Sequence, residues 1–387
     1  MVTRILPILL LLLLAAAWVI DRRELRRRIA THWRCVFWLP NVCLAAALIY
    51  MSIGESYTAT ADLWKQRLLT CTLLLGISQT IYALLYLTRN FYIRMGGALL
   101  VFGSLLYGFT LGWRHLCIVE YSYESQALPK GFDGYRIAQV SDMHLGTLRG
   151  HKGFVEEFCD SINALKPDLV VVSGDVVNYQ PEEFEEMKHI LSRIKAPDGI
   201  ISILGNHDYL LYHRWQTAAD SARAMDRLKK AQREIGWKLL ENEACTLHRN
   251  GDSVMVIGLE NDGPPRFPAR ADKKLTQTGV LQPFAIFLEH DPSYWKRVII
   301  PMYEKQDGRQ ASGTPASQSL TLSGHTHAMQ LRLFGWSPAS WFYDEWGGAY
   351  VSGNSTLYVS QGVGSVLLPF RLGAWPEINI ITLHHKP

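Results

Sequence analysis

Hydrophobic positions are unevenly distributed along the chain, and the unevenness divides it near residue 114. Before that point four stretches lack charged residues: Ile5–Ile20, Cys35–Ile53, Leu68–Leu87 and Met95–Trp113. A bilayer core takes roughly 20 apolar residues of helix, with about 17 as the short limit. The last three stretches qualify, and the first does so once Val2 and Thr3 are included. The pattern therefore predicts four transmembrane helices in an N-terminal region, residues 1–117. Beyond it, Ile118–Gly134 reads as a connector, and then apolar runs of strand length alternate with amphipathic stretches. Strands are expected at Tyr135–Val140, Asp168–Ser173 and Gly199–Leu204, separated by helices near His151–Leu165, Pro181–Ile194 and Trp215–Ile235. Strands then follow with fewer helices: Trp237–Leu240, Cys245–His248, Ser253–Leu259, Phe284–Leu288, Ser319–Leu322, Met329–Leu333, Leu357–Ser360 and Glu377–Leu383. Alternation early and strands late predict an α/β domain with mixed sheets over residues 118–387. Gly308–Ser319 is small and polar and reads as a surface loop; no internal repeat is visible.

Composition narrows this picture. At 387 residues, 48% hydrophobic and 19% charged, the chain is neither disordered nor collagen-like. A net charge of +4 gives no global field for nucleic acid. The second region, about 270 residues, is long enough to bury a full core. The six cysteines show no paired spacing, so neither a disulfide framework nor a cysteine zinc site is expected. Ala15-Ala16-Ala17 resembles a signal-peptidase site, but the next segment carries Arg22, Arg23, Arg26, Arg27, Arg28 and Arg34 against Asp21 and Glu24. A segment that basic resists translocation, so the first helix is expected to stay and the arginine loop to lie in the cytoplasm. Lipid headgroups are the sharper reading of the same run. The loop Gly54–Arg67 balances Glu55 and Asp62 against Lys65 and Arg67 and is expected outside; Thr88–Arg94 holds Arg89 and Arg94 and is expected inside. The chain after Trp113 would then emerge outside the cytoplasm. With no charge inside the spans, nothing suggests a transport path, and Asn41 and Gln79 read as interhelical hydrogen-bonding groups.

Chemistry gathers at the strand ends. Val140 is followed by Asp142 and His144, Val172 by Gly174-Asp175, and Leu204 by Gly205-Asn206-His207-Asp208. Leu288 is followed by His290, and Leu322 by Gly324-His325-Thr326-His327. In open α/β sheets ligands bind beyond the carboxyl ends of strands. Carboxylate oxygen, amide oxygen and imidazole nitrogen together suit a divalent ion of intermediate hardness: Mn²⁺, Fe²⁺ or Zn²⁺. The set is too large for one ion, which implies two with a bridging carboxylate, and Asp175 at a central strand end is the natural bridge. Two ions about 3.5–4 Å apart can clamp a phosphate and activate a water. His151, His189, His213 and His248 stand outside the blocks and read as structural.

The ordered set, Asp-x-His, Gly-Asp, Gly-Asn-His-Asp, His and Gly-His-x-His, each after an apolar strand, resembles the calcineurin-like metallophosphoesterase superfamily over about residues 135–385. The resemblance implies a β-sandwich of two mixed sheets flanked by helices. It implies one metal on Asp142, His144, Asp175 and His327, and a second on Asp175, Asn206, His290 and His325, with Mn²⁺ favoured. It makes His207 the unliganded histidine that stabilises the transition state or protonates the leaving oxygen, with Asp208 orienting its ring. Phe132-Asp-Gly-Tyr-Arg-Ile, Leu-Ser-Gly-His-Thr-His and the Pro369-Phe-Arg371-Leu-Gly tail are similar to a bacterial, membrane-attached branch that includes UDP-2,3-diacylglucosamine pyrophosphatases of lipid A synthesis. One departure is Ala328, where many relatives have Gly. Arg371 is a candidate phosphate clamp or a structural salt-bridge partner, and the aromatics from Trp336 to Tyr350 a core, a rim or an interfacial belt.

The expected protein is a multi-pass enzyme of the bacterial inner membrane with an extracytoplasmic catalytic domain. It would hydrolyse a phosphate or pyrophosphate ester, lipid-linked and presented at the bilayer, with two divalent ions and no nucleic-acid partner. The competing readings are a UDP-2,3-diacylglucosamine pyrophosphatase and a regulatory membrane protein with a phosphoesterase-like domain.

Overall fold

A computed structural model describes residues 2–53, 63–264, 268–307 and 317–387. The chain divides into two compact units, Met1–Gly112 and Trp113–Pro387.

The first unit is helical. Its long elements are Val2–Ile20, Thr31–Ile53, Leu63–Leu84 and Phe91–Thr110, the first followed directly by a π-helical turn, Asp21–Leu25. Asn90 caps the last of them by accepting from the N–H groups of Tyr92 and Ile93. Among the described residues three helices are long and apolar enough to cross a membrane: Thr31–Tyr50, Gln66–Thr88 and Phe91–Arg114. The sequence pattern anticipated four. The additional stretch also forms a helix, Val2–Ile20, of 19 residues with Pro7 inside it, and it is not among the three. Two expectations change at the boundaries. The third span begins at Leu63, drawing Lys65 and Arg67 into the helix, and Arg94 is a buried helical residue instead of a loop charge. The rest of the Gly54–Arg67 loop, residues 54–62, lies outside the described residues.

The second unit is built on two six-stranded mixed sheets. The first has the order β1 (Cys117–Ser125), β12 (Glu377–His385), β2 (Tyr135–Val140), β3 (Leu169–Val172), β4 (Ile200–Ser202), β5 (Trp237–Leu239). The second runs β10 (Gly348–Ser352), β11 (Ser355–Val359), β9 (Gln318–Ser323), β8 (Phe284–Leu288), β7 (Asp252–Gly258), β6 (Glu243–Arg249). β2 to β5 pair in parallel, as do β7, β8, β9 and β11. Successive side chains of a strand point to opposite faces, and the packing follows that rule. Ile137, Leu169, Val171 and Ile201 meet Val254, Ile286, Leu288 and Leu320 between the sheets. Their neighbours Val140, Val170 and Val172 face outward onto Phe154, Phe158, Phe184, Met187 and Leu228 from the helices Lys152–Leu165, Glu182–Leu191 and Ala218–Glu234. Ala285 and Phe287 pack outward onto Trp295, Ile299 and Tyr303. Burial on both faces explains why these strands read as unbroken apolar runs.

Three differences from the sequence pattern have local causes. The connector before β2 contains a strand, β1, which pairs with β12 in parallel. Met329–Leu333 is not a strand, because Ala328, Met329 and Gln330 hold positive φ and turn the chain. Helices over Lys273–Val280 and Ile300–Asp307 were not anticipated, the second containing Pro301 near its start. The surface loop expected at Gly308–Ser319 lies, for residues 308–316, outside the described residues.

Candidate metal centre

The carboxyl ends of β2, β3 and β4 in one sheet and of β8 and β9 in the other converge, and the loops leaving them interlock through the backbone. The N–H of Asp142 donates to Gly174 O at 2.9 Å, that of His144 to Asp175 O at 3.1 Å, and that of Gly324 to His290 O at 3.0 Å. Asp142, His144, Asp175, His325 and His327 hold φ between 43° and 75°, which L-residues rarely adopt. Such strain persists only where surrounding structure over-determines it, and it clusters at functional sites. Gly174 shows how tight the junction is: at φ +95° an added Cβ would lie 2.7 Å from both Gly205 N and His290 Nδ1.

These loops bring together the side chains expected from the sequence. Ligand-capable atoms of Asp142, His144 and His327 lie within 4.8 Å of one another, as do those of Asp175, His290 and His325, and those of His144, Asp175 and His207. His144 Nε2 is 3.0 Å from His327 Nε2, and His327 Nε2 is 3.1 Å from Asp142 Oδ1. Asp175 is pinned through Oδ1 by the His207 N–H at 2.7 Å. Its Oδ2 faces both groups, 3.1 Å from His290 Nε2 and 3.7 Å from His144 Nε2. Asn206 Oδ1 faces His325 Nδ1 at 2.7 Å.

The residues fit a cation pair, on two observations. His290 Nδ1 is held by Ser173 O at 2.8 Å, which directs Nε2 into the cluster, and there Nε2 is buried, 3.1 Å from Asp175 Oδ2 but without a well-aligned hydrogen bond among the described residues. An outer hydrogen bond that fixes the ring and aims the other nitrogen inward is the usual support of a metal-binding histidine. Second, the field favours positive charge. Burial works against charge on His290, but Asp175 and Asp142 outweigh it and raise its pKa well above the ordinary imidazole value. Burial likewise opposes charge on Asp142 and Asp175, yet the facing imidazoles, His327 for the first and His290 for the second, hold both carboxyls below the usual range.

Two residues take different positions from those expected. Asp208 does not touch the His207 ring. It is fully buried and accepts from the N–H groups of Val176 (2.9 Å), Val177 (3.1 Å) and Gly205 (2.9 Å), clasping the Asp175 loop to the Asn206 loop. Burial and the nearby Asp175 charge push it up to about 7. The His207 ring is instead oriented by Asn178 O, 2.8 Å from Nδ1, and stacks against Tyr212. Arg371 is fully buried and is not placed as a phosphate clamp. Its guanidinium donates to the carbonyls of Gly364, Ala374 and Gln361 and lies 3.3 Å from His327 Nδ1, because the closing loop 361–374 folds over it. No acid salt-bridges it, so the salt-bridge alternative is not the observed one either, within the described residues.

Sequence reasoning missed the outer ring of supports. Asn178 reaches His144 Nδ1 at 3.2 Å, Tyr343 reaches His325 Nε2 at 2.8 Å, and Tyr212 accepts from Asn206 Nδ2 at 3.0 Å. Glu183 accepts from the N–H groups of Asn178 and Tyr179 and so holds the Asn178 loop in place. Asn178 had a visible signal, a lone polar residue after the apolar pair that follows Gly174-Asp175. Tyr343 had none beyond its place in an aromatic stretch.

The chain matches the family model described as calcineurin-like phosphoesterase over residues 135–329. A Bacillus subtilis protein named "Uncharacterized metallophosphoesterase YkuE" is 29% identical over 301 residues, covering 74% of this chain and 92% of that one. The UDP-2,3-diacylglucosamine pyrophosphatase LpxG of Chlamydia trachomatis is 40% identical over 311 residues, covering 67% of this chain and 88% of that one. A Danio rerio "Transmembrane protein with metallophosphoesterase domain" is 27% identical, covering 69% of this chain and 57% of that one.

Proposed function

The chain belongs to the calcineurin-like phosphoesterase family, and from that premise we propose that it is a membrane-bound, two-metal hydrolase of a lipid-linked phosphate or pyrophosphate ester. The observation that carries the reading is the convergence of carboxylate, amide and imidazole donors from five strand ends, with Asp175 Oδ2 facing both histidine groups. Asp142, His144, Asp175 and His327 would hold one ion, and Asp175, Asn206, His290 and His325 the other. When bound, such ions supply positive charge to phosphate oxygens and lower the pKa of water. Mn²⁺ is the favoured metal, with Fe²⁺ and Zn²⁺ as alternatives suited to the same mixed donors.

The rest is done by the chain. His207 is held at Nδ1 by Asn178 O, which fixes the ring and leaves Nε2 to donate a proton to the departing oxygen. Burial keeps the His207 pKa below the ordinary imidazole value, against the pull of Asp175, so the resting ring is neutral with its proton on Nδ1, and Nε2 takes up a proton before it gives one to the departing oxygen. Asp208 and Glu183 hold the backbone of the loops that present these groups, and Arg371 ties the loop 361–374 to His327.

The lipid-linked substrate is supported by three features. Helices able to span a membrane precede the domain, and residues 111–116 alone separate the last of them from β1. The 40%-identical relative is named for a nucleotide-linked glycolipid substrate. We place the protein in the bacterial inner membrane as a four-helix, multi-pass chain with the catalytic domain outside the cytoplasm, on the strength of the arginine run at 22–34. A UDP-2,3-diacylglucosamine pyrophosphatase is the second reading, favoured by that same relative, and it would require the opposite orientation. Two experiments decide. Purified full-length protein is assayed with Mn²⁺ against soluble phosphate esters, lipid phosphates and the UDP-linked glycolipid; no turnover of any of them would end the enzymatic reading. An alkaline phosphatase fusion at Pro387 should be active. An inactive fusion, with an active cytoplasmic reporter at the same point, reverses the orientation and favours the nucleotide-linked substrate.

A further inference from the structure

The arginine run is not used by the phosphoesterase reading, and the helical unit shows what surrounds it. Its acids are satisfied internally. Arg34 donates to both carboxylate oxygens of Asp21, at 2.6 and 2.7 Å. Arg94 donates to buried Glu24 at 2.5 Å, and its guanidinium lies over the rings of Tyr82 and Tyr86. The surplus charge therefore rests on Arg22, Arg23, Arg26, Arg27 and Arg28, all exposed, with Arg22 over the Trp18 ring and Arg23 over the Tyr86 ring. Arg28 reaches Glu24 only at 3.6 Å, with its side chain 69% exposed.

Beside this basic rim is a groove of about 370 Å³ between the helices Leu63–Leu84 and Phe91–Thr110. Glu24, Arg28 and Tyr82 line it together with Leu75, Ala98 and Phe102. The two helices are consecutive in the chain and joined by a short turn, so Tyr82 neighbours the start of the second while Leu75 neighbours Phe102. At 1.5 Å per residue, Tyr82 to Leu75 is about 10 Å along the axis. The groove wall is thus apolar along its length, with the Arg28 side chain and the paired Glu24 at one end. Ser78 and Gln79 also line it. Both are only 8% exposed, and Ser78 Oγ and Gln79 Oε1 have no hydrogen-bond partner among the described residues. Buried polar atoms in an apolar setting ordinarily have partners, so this pair points to a ligand with a donor.

We propose that the groove is a binding site for a resident anionic phospholipid. One acyl chain lies between the two helices, the phosphate pairs with Arg28 and the adjacent arginines, and a hydroxyl or amide of the lipid's polar part meets Gln79 Oε1. The apolar wall fits an acyl chain and excludes a bare anion. The basic rim favours an anionic over a zwitterionic headgroup. The site shares no residue with the metal centre, so it stands or falls apart from the enzymatic reading.

The test is native mass spectrometry of the delipidated full-length protein, titrated with phosphatidylglycerol, with phosphatidylcholine and with inorganic phosphate. One phosphatidylglycerol should bind per chain, about tenfold more tightly than phosphatidylcholine. Ala98→Trp, which fills the groove, should abolish binding of both lipids; Arg28→Gln should weaken phosphatidylglycerol, and Arg26→Gln, Arg27→Gln and Arg28→Gln together should reduce it to the phosphatidylcholine level. Gln79→Leu, which leaves the groove open, should weaken phosphatidylglycerol and serves where Ala98→Trp does not fold; a monodisperse size-exclusion peak and an unchanged far-UV circular dichroism spectrum report folding in each case. Equal binding of the two lipids by the wild-type chain would overturn the proposal. So would phosphatidylglycerol binding unchanged in both groove variants, or displacement of the lipid by millimolar inorganic phosphate. Recovery of the bound lipid intact after incubation with Mn²⁺ marks a resident ligand; loss of its headgroup would make the groove a substrate site and overturn that assignment.

Discussion

Replacing Asp208 with Asn separates two roles for this side chain. In the structure it is a fully buried clasp that receives three backbone N–H groups, two on Oδ1 from Val176 and Val177 and one on Oδ2 from Gly205. An amide keeps one acceptor oxygen. Whichever way Asn turns, at least one buried N–H then faces an NH₂ group. Above about pH 8, where the Asp208 carboxyl is ionised, a hydrogen bond to it is worth about 1.5–3 kcal/mol, so the expected loss there is about 10- to 150-fold in an equilibrium constant. The clasp joins the Asp175 loop to the Asn206 loop, and the loss should therefore appear as weaker metal binding. At saturating metal kcat should stay within about threefold of wild type, since no interaction with the transition state has been removed. The pH profile should keep its shape, because the His207 ring rests on Asn178 O. Calorimetric titration of the metal-stripped full-length protein with Mn²⁺, together with kcat against pH on a soluble ester, reads both quantities. A kcat reduced a hundredfold or more at saturating metal, with affinity unchanged, would refute the reasoning and return Asp208 to orienting the histidine.

Other consequences follow from the same geometry. His207→Ala should retain its metals and lose about 10²–10⁴-fold in rate, the usual worth of a positioned acid; metals leaving with the side chain, by elemental analysis, would make it a ligand. Arg371→Met should destabilise the catalytic unit by several kcal/mol, since each buried carbonyl left without its donor costs about 1–3 kcal/mol, seen as a lower urea midpoint for proteolysis of the loop 361–374. A raised KM at unchanged stability would restore the phosphate clamp. Burial pushes the Glu183 carboxyl up to about 7 from its ordinary 4.5. The folded state therefore binds this proton more tightly than the unfolded state. The stabilisation is full below about pH 4.5 and is lost as pH rises through about 7, up to roughly 3 kcal/mol. Glu183→Gln should flatten the urea midpoint between pH 5 and pH 8, and an unchanged slope in that variant would contradict the assignment.

Much of the catalytic unit was legible because its strands are buried on both faces. Val170, Val171 and Val172 form an unbroken apolar run for that reason, and the polar residues that follow such runs stand out. β1 was not legible: its residues alternate between half-buried and exposed for most of its length and include Glu120 and Glu124, and only pairing with β12 makes it a strand. Met329–Leu333 has the alternation of a strand, but left-handed backbone from Ala328 to Gln330 overrides it. Residue types at the site could be read, whereas hydrogen-bond partners could not. Asp208 follows His207 in the chain, yet its Oδ1 is taken by N–H groups from another loop and its Oδ2 by the Gly205 N–H of its own. Arg371 has the chemistry to bind phosphate, but the carbonyls that occupy it come from a loop whose path is set by tertiary packing. Tyr343 supports His325 across a separation the sequence does not signal.

The central claim is that Asp175 joins two metal sites in one centre. Elemental analysis of wild-type protein and of Asp175→Ala, purified side by side in full-length form, tests it most directly. Two divalent ions per wild-type chain and none in the variant are expected, because Asp175 Oδ2 faces both histidine groups, 3.1 Å from His290 and 3.7 Å from His144, whereas Asp142 Oδ1 lies close to His327 at 3.1 Å but reaches His290 only at 3.9 Å. A variant that still holds two ions, or a wild-type chain that saturates with one, would contradict it.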